Sequence, residues 1–171
     1  LGIDPLATHI DAGRTVRPLE QIAKSLRTVE PGIAANGKHR FLEELVAHLP
    51  KSAGLSVAEL ERFDANLVAH TQTINARRKI KGEMAWKYFQ WLSLLFVEIY
   101  LDRYFNDRQG LCLALNDFVE RFNLHHQKQK RETGITSYAV EDLNKICLQN
   151  ATGSGKTLLM HVNLLQFAHH A

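Results

Sequence analysis

Apolar residues along this chain recur mainly at helical spacing. Leu19, Ile22, Leu26 and Val29 follow Pro18, which suits a first helical turn, and the run breaks at Glu30-Pro31-Gly32. A second helix is predicted from near His39, with Phe41, Leu42, Leu45, Val46 and Leu49 on its apolar face, stopped by Pro50. Ser56-Val57-Ala58-Glu59 has the S-x-x-E form of a capping box, so a third helix starts there and buries Leu60, Phe63, Leu67 and Ile74. It runs into Arg77-Arg78-Lys79-Ile80-Lys81-Gly82, where cations suit the C-terminal dipole and Gly82 can leave the helical conformation.

The most apolar stretch, Met84 to Phe105, contains Trp86, Trp91 and many aliphatic residues. A membrane span is the alternative, but Lys87, Gln90, Glu98, Asp102 and Arg103 interrupt it, so it reads as a central core helix. Its aromatics at helical spacing read as core in preference to base-stacking platforms. A fifth helix is expected after Gly110, with Leu111, Leu115, Phe118, Val119 and Phe122 facing inward. Residues 1–16 read as an irregular lead-in, and the polar, basic run from His125 to Gly134 reads as a linker.

Composition bounds the rest. A length of 171 residues fits one domain, or one plus part of another, and 45% apolar with 23% charged residues excludes fibrous and wholly disordered classes. The net charge of +3 permits an anionic partner without requiring one. Cys112 and Cys147 lie far apart in apolar runs, which fits reduced thiols in the cytoplasm. The opening Leu1-Gly2-Ile3-Asp4 carries no initiator Met and no secretory signal, and reads as an excerpt of a longer protein.

One segment carries chemistry. Lys145-Ile146-Cys147-Leu148 reads as a short strand entering Gln149-Asn150-Ala151-Thr152-Gly153-Ser154-Gly155-Lys156-Thr157, and a helix beginning at Lys156 runs on through Leu158-Leu159-Met160. Glycines there let successive N–H groups turn toward phosphate oxygens, and the helix adds its positive end. Candidate nucleotide-binding residues are Thr152, Gly153, Ser154, Gly155, Lys156 and Thr157. Lys156 would reach the β- and γ-phosphates of ATP and the Thr157 hydroxyl would hold Mg²⁺. Asn150 stands where the first glycine of G-x-x-x-x-G-K-S/T is expected.

The T-G-S-G-K-T core resembles motif I of superfamily 2 DEAD/DEAH-box helicases, particularly the motor subunits of type I and type III restriction enzymes. Leu143-Asn144-Lys145-Ile146, Leu158 to Asn163 and the aromatic segment Tyr88 to Phe105 are similar to that group as well. The resemblance implies an ATP-driven helicase or translocase on duplex DNA, in a restriction or phage-defence system with further subunits. It also implies that residues 135–171 begin a RecA-like ATP-binding domain, cut short here. The expected order is thus a lead-in at 1–16, an all-α accessory domain at 17–123, a basic linker at 124–134 and the first strand, P-loop and helix of the motor at 135–171. The fold class expected is mainly α with this truncated α/β segment.

No Asp-Glu-x-His or Asp-Glu-Ala-Asp occurs, so these residues alone are expected to hydrolyse no ATP, and the strand before the loop lacks parallel neighbours to bury it. No acidic residue stands two positions before a Lys, as the Glu-x-Lys of restriction-type nucleases would require. The nine histidines lack His-Glu-x-x-His spacing and read as surface residues, with no metal site beyond Thr157. Arg77, Arg78, Lys79 and Lys81 are candidates for DNA phosphate contact, against the plainer reading of a solvated helix end. The alternative to a motor is a non-catalytic helical module that docks a partner subunit or nucleic acid.

Overall fold

The structure is a computed structural model that describes residues 6–50, 54–78, 82–129, 134–149 and 153–171. The chain is mainly helical. A hairpin of β1 (His9–Asp11) and β2 (Arg14–Val16) precedes α1 (Pro18–Leu26), α2 (Arg40–Ala47), α3 (Val57–Arg77), α4 (Tyr88–Asn106) and α5 (Arg108–Lys128). A 3-10 helix at Val140–Asn144 and α6 (Lys156–His170) follow.

The hairpin corrects the irregular lead-in for its described part. Its strands pair antiparallel with His9 opposite Val16 and Asp11 opposite Arg14. Ala12 and Gly13 both take positive φ (46° and 76°), the twist a two-residue hairpin turn needs. Ala-Gly is a weaker turn signal than Asn-Gly, which is why the sequence does not advertise it.

The helix starts follow local chemistry. Ser56 Oγ accepts from the Glu59 N–H at 3.2 Å while Glu59 Oε2 accepts from the Ser56 N–H at 2.9 Å, the reciprocal box expected at α3. Helix α5 begins at Arg108, ahead of the expected start after Gly110, because Asp107 caps it by accepting from the Gly110 N–H at 2.9 Å. Gly110 therefore lies inside the first turn, where a Cβ would collide with the Asp107 carboxylate. Helix α5 also continues to Lys128, so residues 124–128, expected as linker, are its last turns.

The chain packs as two compact units, one of Leu1–Ile99 with Asn150–Ala171 and one of Tyr100–Gln149, and the division falls within α4. In the first, Leu26, Phe41, Leu45, Leu60, Phe63, Leu67, Leu94, Leu95, Leu159 and Val162 share one core with Trp86 and Trp91. Both indoles are buried, as expected of core aromatics, although Trp86 precedes α4. Several polar groups inside this core are paired. Asp64 accepts from the His39 N–H at 2.9 Å and from Trp91 Nε1 at 2.8 Å, and its Oδ1 lies 2.8 Å from His39 Nδ1. Trp86 Nε1 donates to Thr71 Oγ1 at 2.8 Å.

In the second unit, Cys112 and Val119 of α5 are buried and Tyr100 Oη donates to the Leu143 carbonyl at 2.7 Å. Burial, then the neighbouring Tyr104 and Tyr138, push the Tyr100 phenol up. Two asparagines of α5 grip the incoming chain. Asn116 bonds both the N–H (2.7 Å) and the carbonyl (2.9 Å) of Tyr138, and Asn123 does the same for Ile135 at 2.8 Å each.

Candidate functional site

The glycine loop opens onto α6. Gly153 and Gly155 adopt φ of 76° and 81°, in the left-handed region, and Gly155 is the N-cap whose carbonyl accepts from Leu158 N–H (3.0 Å) and Leu159 N–H (3.1 Å). Lys156 is the first helical residue and Thr157 the second, both exposed, so ammonium, hydroxyl and the first-turn N–H groups come to one helix end. Thr152 lies outside the described residues, as do Asn150 and Ala151.

The loop is braced from α4. Gln90 Nε2 donates to the Ser154 carbonyl at 2.8 Å, and a Cβ on Gly155 would come 2.8 Å from that same amide nitrogen. Its φ of 81° favours glycine at Gly155, and a Cβ there would displace the Gln90 amide that braces the loop. Ser154 is 9% exposed, and its buried Oγ has no hydrogen-bond partner among the described residues.

The strand expected at residues 145–148 is a correction. Residues 145–149 form no strand, Ile146 is 46% exposed and Cys147 is exposed. Among the described residues no neighbouring strand offers a ladder, and an isolated extended segment gains neither hydrogen bonds nor burial.

Of the basic cluster, Arg77 ends α3 exposed and Arg78 is its half-buried cap, while Lys79 and Lys81 lie outside the described residues. The two arginines line an open, largely apolar pocket of about 370 Å³ with Ile74, His161, Leu164 and Leu165. No helix among the described residues is long and apolar enough to cross a membrane.

The reading of the histidines as surface residues is overturned at two positions. His39 is 2% exposed against Asp64, and the His170 side chain is 6% exposed with Nε2 3.0 Å from Glu98 Oε1. Glu98, fully buried on α4, also accepts from Asn66 Nδ2 (2.7 Å) and Gln166 Nε2 (2.8 Å). One ligand atom from each of Glu98, His169 and His170 lies within 4.8 Å of the others. The His70 ring of α3 sits 5.7 Å from that of His169. Burial chiefly, with the nearby His169 and His170 and against the pull of Glu98, holds His70 below the usual histidine range. Sequence spacing carried no signal of this group, since it joins three helices far apart in the chain.

The chain matches no protein-family model, and no curated protein or solved structure shows significant similarity to it.

Proposed function

We propose that the loop ending at Lys156 and Thr157 binds the phosphates of ATP with Mg²⁺, as the first nucleotide motif of an ATP-dependent DNA helicase or translocase of a restriction or phage-defence system. The observation that carries this reading is the left-handed pair Gly153 and Gly155 delivering the chain directly onto the N-terminus of α6. The residues fit the ligand: glycines in the left-handed conformation, a buried hydroxyl at Ser154 with no partner among the described residues and a lysine at the positive end of a helix. Lys156 neutralises phosphate charge, Thr157 offers its hydroxyl to Mg²⁺, and the first-turn N–H groups hold phosphate oxygens. In this reading residues 135–171 open a RecA-like domain, other parts of a longer cytoplasmic protein supply hydrolysis, and duplex DNA and restriction-system subunits are the partners. Arg77, Arg78, Lys79 and Lys81 are then candidates for backbone phosphate contact.

Titration of the chain with a fluorescent ATP analogue and Mg²⁺ tests the proposal. Saturable binding that Lys156→Ala weakens more than about tenfold, the loss of one charge-assisted contact of 1.5–3 kcal/mol, is the expected result. Absence of binding, or equal binding by the variant, overturns it. A second reading, a helical docking module, has its own observation: Met160, Leu164 and Phe167 stand 57%, 63% and 51% exposed at i, i+4 and i+7 on α6.

A further inference from the structure

The C-terminal end of α6 meets a buried group that nucleotide binding does not use. Glu98 is fully buried, and its partners are two side-chain amides, from Asn66 and Gln166, and the His170 imidazole. An ionised carboxylate taken out of water needs a compensating positive charge or complete hydrogen bonding. Beside it stand His169 and His170, whose rings are 5.0 Å apart, and His70. His70 supplies an independent observation: its Nε2 is buried and has no hydrogen-bond partner among the described residues.

We propose that Glu98, His169 and His170 bind a divalent transition cation of the zinc class, with His70 taking the fourth position. Three imidazoles and one carboxylate are a borderline-soft donor set that suits tetrahedral Zn²⁺. Bonds of about 2.0–2.1 Å to one ion would bring donor atoms to roughly 3.3 Å from each other. The spread of up to 4.8 Å among the Glu98, His169 and His170 donor atoms closes by turning side chains, the His169 ring being exposed, and the His70 ring, 5.7 Å from that of His169, turns in to complete the set. Asn66 and Gln166, already bonded to the Glu98 carboxylate, are the outer partners that fix a ligand's orientation. With four protein ligands the site is closed and structural. It fastens α3, α4 and α6 together at the end of α6 opposite Lys156, and it does not depend on whether the loop binds nucleotide.

Chelator-treated protein titrated with Zn²⁺ by calorimetry, and with Co²⁺ by visible absorption, tests this. The expected result is one equivalent bound, with the d–d bands of tetrahedral Co²⁺ and no thiolate charge-transfer band of the kind Cys147 would contribute. His169→Ala, at an exposed position that leaves folding intact, should weaken binding by at least about a hundredfold, more than loss of an outer partner costs. Glu98→Gln should do the same, with circular dichroism checking its fold. No binding, a thiolate band, or unchanged affinity in His169→Ala overturns the proposal.

Discussion

Asp64 holds the α2 entry and the central tryptophan with a single carboxylate, receiving the His39 backbone N–H and the Trp91 indole N–H in a site with no solvent exposure. Removing such an acceptor strands both donors in an apolar interior, at about 1–3 kcal/mol for each unsatisfied group. Asp64→Ala is therefore expected to lower unfolding stability by about 3–5 kcal/mol. Trp91→Ala should cost a similar ~3–5 kcal/mol through the cavity it leaves. Because the two side chains share a bond, urea unfolding of the double variant should show less than the sum of the single losses. Trp91 was legible as core from helical spacing alone. Asp64 was not, because a polar residue in an amphipathic pattern gives no sign of which buried donors will meet it.

At the scale of elements, signals confined to a few consecutive residues were the readable ones. The Ser56 and Glu59 box stands as its spacing predicts, and Ser56→Ala is expected to lose about 0.5–2 kcal/mol by thermal or urea denaturation, with α3 fraying at its first turn. The glycine loop and the start of α6 at Lys156 were likewise visible in the residues, since left-handed backbone and a helix N-terminus are local properties. The strand expected at 145–148 does not form, for the complementary reason. Apolar character marks a segment that can pair, but pairing requires a neighbour, and the described residues provide none. Helix α5 shows the same limit in reverse: a basic, polar run resembling a linker is helical to Lys128 because nothing in it stops the helix begun at Arg108.

For the molecule as a whole, ionisation of His70 ties stability to pH. Burial disfavours its imidazolium, so its folded-state pKa lies below the ordinary value of about 6.5 and the unfolded chain binds the proton more readily. The neutral ring's contribution is present above about pH 6.5 and is lost as pH falls through the lowered folded value. Glu98, His169 and His170 are the titratable groups facing it. In the presence of a chelator, denaturant midpoints followed from pH 7.5 downward should fall more steeply for the native protein than for His70→Gln; parallel curves would exclude this role.

The asparagine grip on residues 135–138 sets a length rule for its part of the chain. Seven residues of helix separate Asn116 from Asn123, two turns and about 10.5 Å of rise. Meeting the backbone of residues 135 and 138 from one side asks for a chain that repeats every third residue, the period of polyproline II, which advances about 9.3 Å over that interval. Two rulers with different gradations come within about 1.2 Å of each other at these marks. Side-chain changes at Thr136 or Ser137 leave both marks aligned, whereas one residue inserted between them forces a choice between the two clasps.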